Sequence, residues 1–373
     1  MAYGSLNADV ITSSTGQVFS PSSSVMKNRI INGAMVIDQR NAGASVTINS
    51  NQYTVDRWRA VQSQTGKYSV QQNAGSVTPP AGYTNYLGVT SLSAYSINAT
   101  DGFAILQRIE GFNSADLGFG TANAKTVTLS FWVQSSLTGT FGGGLQNSAA
   151  NRSYPFSYTI SSANTWTQIS ITIPGDTTGT WVGATNGVGL LVQFGLGVGS
   201  TYSGTAGSWA GTEYDSATGA VSVVGTNGAT WYITGVQLEV GSSATGYEYR
   251  QFQQEFALCQ RYFETTYSYG TAVGTATVVD RYQSNGSNDN GGNGYYTYQY
   301  KVSKRATPTI TFYRAADGYV GYWFYASSGT GATSYQSGTS SIGLNQVNAF
   351  TLSNATAYAT MNTYGHMTIS AEL

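Results

Sequence analysis

Seventeen carboxylates are dispersed along the 373 residues, and the tightest pair is Glu213 with Asp215. Hydrolysis of a glycosidic bond needs two carboxyl groups roughly 5–9.5 Å apart across a cleft. Asp176 with Glu213 is a second combination, and neither is placed by spacing alone. No phosphate-cradling loop is followed by Lys and Ser or Thr, so the run Gly142, Gly143, Gly144 reads as a turn. His366 is the single histidine and Cys259 the single cysteine. An internal disulfide is therefore excluded, as is a cysteine-based metal site, and a Ser-His-Asp triad has one histidine to draw on. The loop of residues 284–294 carries Asn285, Asn288, Asp289, Asn290 and Asn293; with one carboxylate it reads as an Asx-rich turn rather than a calcium loop. The expectation is a protein without catalytic residues, metal or cofactor.

Non-covalent chemistry is better supplied. A sugar presents an apolar face edged by hydroxyls, which suits stacked aromatic rings with amide, hydroxyl and carboxylate neighbours. Trp181, Tyr202, Trp209 and Tyr214 lie in polar, Gly-rich stretches with Asn186, Glu213 and Asp215. A second set, Tyr295, Tyr296, Tyr298 and Tyr300, precedes Tyr319, Tyr322, Trp323 and Tyr325. Trp181, Tyr202, Trp209, Tyr214, Tyr319 and Trp323 are the candidate ligand contacts. Core packing is the competing reading, above all for Tyr296, Tyr298 and Tyr300, whose period of two puts one face inward.

Sixteen basic against 17 acidic residues leave a net charge of −1. That balance offers no field for nucleic acid or an anionic membrane. No window reaches 18 apolar residues, so no membrane insertion is expected, and residues 1–9 lack the pattern of a cleavable export signal.

Strands must position these residues. Charged residues make up 9 %, with 46 Gly and 28 Tyr, a profile of strands and tight turns. Residues 26–40 read as a first strand pair turning at Asn32 and Gly33. Val127, Leu129, Phe131 and Val133 alternate with polar partners, as do Ile169, Ile171 and Ile173. Val188 to Val198 keeps period two, with Gly195, Gly197 and Gly199 on the other face suggesting a flat surface that something approaches closely. Residues 232–240 close the set. Antiparallel strands with Gly-rich turns and no intervening helix predict an all-β jelly-roll sandwich over residues 28–249. Residues 1–27 form a flexible segment that does not fold alone, read either as a frayed tail or as an adaptor that orders on docking to a larger body. Residues 266–373 read as a second, smaller β domain.

Between the two domains, residues 250–265 predict a short helix. Phe252, Phe256, Cys259 and Phe263 follow at spacings of four, three and four, the seam of a short coiled coil. A helix this short is marginal in water, so its stripe is buried on its own chain or against sister chains.

Two stretches resemble phage and prophage tail-fibre-like proteins. One is Asn28, Arg29, Ile30, Ile31, Asn32, Gly33 with Ile37, Asp38, Gln39, Arg40, Asn41 and then Asp56, Arg57, Trp58. The other runs T-G-V-Q-L-E-V-G from Thr234 to Gly241 and into Tyr249, Arg250, Phe252, Glu255, Leu258, Cys259, Arg261 and Tyr262. Prolines common in that group are replaced here by Gly246 and Gln251. The resemblance covers about residues 28–264 and implies a virion surface fibre with a jelly roll similar to carbohydrate-binding modules. It also implies a homotrimer with its seam at Phe252, Phe256, Cys259 and Phe263, anchored to other virion proteins by the N-terminal segment, with residues 266–373 facing the host. The expected function is attachment of the particle to host cell-surface glycans without catalysis. A capsid decoration or head fibre, and a glycan depolymerase using Glu213 or Asp215, are the alternatives.

Overall fold

The computed structural model describes residues 11–12, 18–19, 27–287, 294–327, 333–351 and 360–373. The expected anchor segment lies outside the described residues apart from β1 (Ile11–Thr12), β2 (Val18–Phe19), which pair antiparallel, and Lys27. The Asp289 turn also lies outside them. The chain divides into two units. Unit 1 runs to Val36 and takes Ser45–Tyr53 and Trp58–Gln251; unit 2 is built from Ile37–Ala44, Thr54–Arg57 and Phe252–Leu373.

Unit 1 opens with short strands, β3 (Val46–Thr47), β4 (Gln52–Tyr53) and β5 (Arg59–Val61), then β6 (Tyr68–Gln72) and β7 (Leu87–Ser91). The long strands follow: β8 (Gly102–Glu110), β9 (Val127–Ser135), β10 (Gly139–Gln146), β11 (Ser153–Ile160), β12 (Thr167–Ile173) and β13 (Val188–Val198). After a two-residue parallel pair, β14 (Ser203–Gly204) and β15 (Ser216–Ala217), β16 (Thr230–Val240) closes the unit. One six-stranded sheet has the order β11-β10-β13-β8-β5-β4, the other β12-β9-β16-β7-β6-β3. From β7 onward the chain passes repeatedly from one sheet to the other and neighbours in each sheet are antiparallel, the connectivity of a jelly roll. Phe131, Phe194 and Trp231 fill the space between the sheets, with Phe131 and Phe194 5.0 Å apart at 75° and the Trp231 indole N–H donated to the Tyr158 hydroxyl at 3.0 Å.

Residues 28–36 are not the strand pair that their apolar pattern predicts; they contain no strand. Their backbone groups are satisfied partly by β16, where the Arg29 N–H donates to the Leu238 carbonyl and the Gly33 carbonyl accepts the Val236 N–H, both at 2.9 Å, and partly by side chains. The Ile31 N–H goes to Gln107 Oε1 and the Ile31 carbonyl accepts from Gln107 Nε2, at 2.9 and 2.8 Å. Asn28 Nδ2 donates to the Val236 carbonyl, and Asn28 Oδ1 accepts from the Leu238 N–H at 3.0 Å. Gly33 is required there, since a Cβ would stand 2.1 Å from the Val236 carbonyl oxygen. The two stretches that carry the resemblance therefore lie against each other, and Ile30, Ile31 and Met35 are buried without a strand partner.

The glycine run at 142–144 is likewise no turn but the middle of β10. A Cβ on Gly143 would lie 2.3 Å from the Gln193 carbonyl oxygen, and one on Gly142 would lie 2.3 Å from Ser216 Oγ. Gly195 and Gly197 meet Ser216 and Val224 in the same way. The close approach inferred for the glycine face of β13 is thus made by the chain itself, by Ser216 and Val224 at Gly195 and Gly197 and by the Asn98 and Ala99 carbonyls at Gly199.

Unit 2 begins with α1 (Phe252–Gln260) and β17 (Phe263–Thr265), continues through β18 (Tyr282–Ser287), β19 (Gly294–Gln299), β20 (Thr309–Tyr313) and β21 (Tyr322–Ser327), and ends with β22 (Thr333–Ile342), β23 (Gln346–Thr351) and β24 (Thr360–Ser370). β24 is its axis: the half toward Ser370 pairs with β17 and β20, and the half toward Thr360 pairs with β18 and β21. The core gathers Tyr296, Phe312, Trp323, Val347, Met367 and Ile369. Two short segments from early in the sequence complete the unit. Arg57 pairs with Glu372 and lies over the Tyr262 ring at 3.5 Å, while Arg40 lies over Phe263 at 3.6 Å and pairs with Glu372 at 2.8 Å. Burial pushes Asp56, held by the Gln39 backbone and side-chain amides, up to about 7.

Candidate functional site

Trp181 and Trp209 are brought together as a pair. Trp181 comes from the loop between β12 and β13, Trp209 from the loop between β14 and β15, and their rings stand 5.6 Å apart at 88°. Phe119, from the connection between β8 and β9, meets them edge-on at 5.0 and 5.8 Å, and Tyr154 of β11 meets Trp209 at 5.3 Å. Both indoles are half-buried. Trp209 donates its N–H to the Pro174 carbonyl at 2.7 Å, and Trp181 donates to Asp176 Oδ2 at 3.3 Å and to the Thr178 carbonyl at 3.2 Å. With their polar edges bonded inward, the rings are fixed as a ridge of apolar surface.

A bidentate ion pair supports the ridge. Arg152 Nε and Nη2 each reach a different oxygen of Asp176 at 2.7 Å. Burial acts to raise the Asp176 carboxyl, but the hydrogen bonds from Arg152 and Thr178 outweigh it, and the group ends below the usual carboxylate value. The loops reach this arrangement through glycine. Gly179, at φ +78°, lies where a Cβ would be 2.5 Å from Arg152 Cγ, and Gly120, at φ +82°, where one would be 3.0 Å from the Trp181 ring. Beside the ridge is a hollow of about 250 Å³ lined by Phe119, Trp181, Leu117, Val182, Ser114 and Thr121, among others.

Tyr202 and Tyr214 do not join this group; among the described residues neither ring meets Trp181 or Trp209. The Tyr214 ring packs flat on Gly204, where a Cβ would stand 2.2 Å away, and the Tyr202 carbonyl accepts the Asp215 N–H at 2.7 Å. Asp215 Oδ1 accepts from Gln146 Nε2 and Gln193 Nε2, both at 2.7 Å. Burial pushes Asp215 above the usual carboxylate value, and burial together with the Asp215 charge does the same to Glu213. These side chains tie residues 213–216 across the glycine face of β10 and β13.

In unit 2 the two candidates part. Trp323 is 0 % exposed, stacked on Tyr296 at 4.7 Å and 10°, and donates its N–H to the His366 carbonyl at 2.7 Å. Its ring presents no face to a ligand, because its strand neighbours turn that side of β21 into the core. Tyr319 is 56 % exposed at the tip between β20 and β21, steadied by Arg314 at 5.1 Å and by its backbone bond to Asp317.

The helical stripe is also divided. α1 ends at Gln260, nine residues long rather than the sixteen of 250–265, so it spans about 13.5 Å at 1.5 Å per residue. Phe263 has left the helix for β17, where Ser370 supplies a backbone partner. Cys259 is buried within its own chain, while Phe252 stacks on Phe256 at 5.7 Å and Tyr269 meets both rings edge-on. Phe252 remains 44 % exposed.

Sequence reasoning did not find Phe119, Tyr154, Arg152 or Asp176 as parts of one site. Their separation along the chain carries no periodic signal; the cluster of Trp181 and Trp209 in Gly-rich loops was the sign available. Among the described residues no group of three His, Cys, Asp or Glu side chains is arranged to hold a metal, and no helix is long and apolar enough to cross a membrane.

The sequence matches no family model and no curated protein. Among solved structures, similarity is found to the enzymatically active domain of tailspike protein 4 of bacteriophage CBA120, with 11% identity and a TM-score of 0.33 over 58% of this chain and 22% of that one. The family 11 carbohydrate-binding module of Clostridium thermocellum gives 8% identity and a TM-score of 0.26 over 54% of this chain and 98% of the module. The N-terminal cellulose-binding domain of Cellulomonas fimi β-1,4-glucanase C gives 12% identity and a TM-score of 0.26 over 54% and 91%. The chain thus spans about a fifth of the tailspike domain and nearly all of each binding module.

Proposed function

We propose that this chain is a virion attachment protein, a tail fibre or receptor-binding fibre that holds host-surface glycan without cleaving it. The observation that carries the reading is the ridge of Phe119, Trp181 and Trp209, whose two indole N–H groups are bonded inward and of which Phe119 and Trp181 border a hollow in loops of a sandwich. Such a surface suits the apolar face of a sugar ring, and the resemblance of residues 28–264 to tail-fibre-like proteins supplies the virion setting. Asp176, with both oxygens engaged by Arg152, is withdrawn from general acid or base work, which supports binding over hydrolysis.

Three chains per fibre, joined along the exposed ring of Phe252 and anchored by residues 1–27, would multiply weak sugar contacts through effective concentration. The test is binding of the purified chain to host cells and to an array of their glycans. Trp181→Ala with Trp209→Ala should abolish binding while the fold persists by circular dichroism, and retained binding would remove the ridge from the function. Light scattering should give the mass of three chains for the wild type and of one for Phe252→Asp; a single-chain wild type would rule out the trimer.

The raised carboxyl of Glu213 beside Asp215 favours one second reading, a glycan depolymerase. Release of reducing ends from host polysaccharide, lost in Glu213→Gln, would establish it in place of attachment alone.

A further inference from the structure

Unit 2 contains a cavity of about 580 Å³. That size lies within the roughly 300–1,000 Å³ of small-molecule sites. Its wall combines rings with polar and charged groups. Tyr267 is stacked on His366 at 3.9 Å and 12°, which fixes its plane. Tyr282 is held edge-on to Tyr298 at 5.4 Å, and Tyr269, 47 % exposed, is braced against Phe252 and Phe256.

The charges in this wall are unequal. Arg281 and Lys301 both line it, and among the described residues neither makes an ion pair. Asp280 is the one carboxylate of the lining, and it accepts the Ser268 hydroxyl at 2.5 Å. Arg281 is positioned by a ring rather than by an anion: its guanidinium carbon lies 3.8 Å over the centre of Tyr364. Its protein hydrogen bond to Gln283 Oε1 is long, at 3.5 Å. A guanidinium oriented by stacking, with most of its five donors unspent, is preorganised for a bidentate carboxylate.

We propose that this cavity binds an acidic saccharide, a sugar unit that carries a carboxylate. The rings of Tyr269, Tyr282 and Tyr298 cover its C–H face, Ser268 and Gln283 meet its hydroxyls, Arg281 takes the carboxylate in a two-pronged contact and Lys301 adds a second positive charge. The inference extends the glycan-holding reading to a second place and a charge class, and rests on it only in taking saccharide as the ligand.

The experiment is calorimetric titration of the intact chain with uronate and sialate oligosaccharides, each beside its methyl ester and a phosphorylated sugar. The wild type should bind at least one carboxylate oligosaccharide, and esterification or Arg281→Gln should weaken it about tenfold or more. Lys301→Gln, an exposed change that leaves folding intact, should weaken it by a smaller factor that shrinks as salt rises. Trp181→Ala should leave this binding unchanged. Equal binding of acid and ester, preference for the phosphorylated sugar, indifference to both substitutions, or no binding by any carboxylate sugar would overturn the proposal. Loss of host-glycan binding in the Trp181 variant with acidic-sugar binding retained separates the two sites. Acidic-sugar binding by a chain that holds no host glycan would sink the fibre reading and leave this site standing.

Discussion

Arg152 meets both oxygens of Asp176 at 2.7 Å, and one of those oxygens also accepts the indole N–H of Trp181. The ion pair therefore sets the angle of a ring as well as closing a loop. Asp176→Asn should destabilise unit 1 by about 3 kcal/mol, the lower end expected when one partner of a buried pair is removed, because Arg152 is partly solvated. Urea unfolding measures the loss. The Asp176 carboxyl is held below its unfolded value, so its contribution is present above that value and fades as pH falls through the folded one. Wild type and variant should converge in stability below about pH 4; parallel curves would show that the pair does not titrate with folding.

Trp323 and Tyr319 should respond oppositely to truncation. Trp323→Ala empties a fully buried site and should cost about 3–5 kcal/mol in chemical denaturation. Tyr319→Ala, at an exposed tip, should stay within about 0.5 kcal/mol of wild type. If cell binding falls in the Tyr319 variant at unchanged stability, the tip is a contact; if stability falls instead, its ring is structural.

Gly142 has no room for a side chain. A Cβ there would press on Ser216 Oγ at 2.3 Å and the Ala217 backbone nitrogen at 2.7 Å. Gly142→Ala should destabilise by about 1–3 kcal/mol, since residues 214–217 must shift. The paired change Gly142→Ala with Ser216→Gly should recover part of the loss, and the absence of recovery would place the strain at the backbone nitrogen.

His366 is buried between Tyr267 and Thr277, and burial lowers its pKa. The unfolded chain then binds the proton more readily, so stability falls as pH drops through the unfolded value of about 6.5. Asp56 works the other way in the same interval: its carboxyl is raised to about 7, and protonation on acidification favours the folded state. The informative quantity is therefore the difference between wild type and His366→Asn, which should narrow from pH 8 to pH 5. A constant gap would mean that His366 takes up its proton equally in the folded and unfolded states.

The strands with period two were legible because alternate burial writes itself into residue type. β13 runs over the residues its pattern marks, and β12 alternates half-buried with exposed positions as an edge strand does. The all-β class follows from the same local signals, as does the presence of a helix at Phe252. Glycine strands were not legible: Gly142, Gly143 and Gly144 have no side chain to show a period, and their requirement comes from Gln193 and Ser216, distant in sequence.

Local pattern also over-reached where backbone partners come from afar. Residues 28–33 look like a strand, yet their backbone bonds go to the Gln107 and Asn28 side chains and to Leu238 and Val236 of β16. Phe263 continues the helical stripe by spacing, yet β24 offers its backbone a ladder and Arg40 covers its ring. Of the candidate contacts, sequence alone placed Trp181, Tyr202, Trp209 and Tyr214 in polar, Gly-rich loops. Only the tertiary structure decided that Trp181 and Trp209 meet, that Phe119 joins them, and that Trp323 is core. Residue type and spacing record what a side chain needs from its immediate neighbours; which distant loop fills that need is settled by packing of the whole unit.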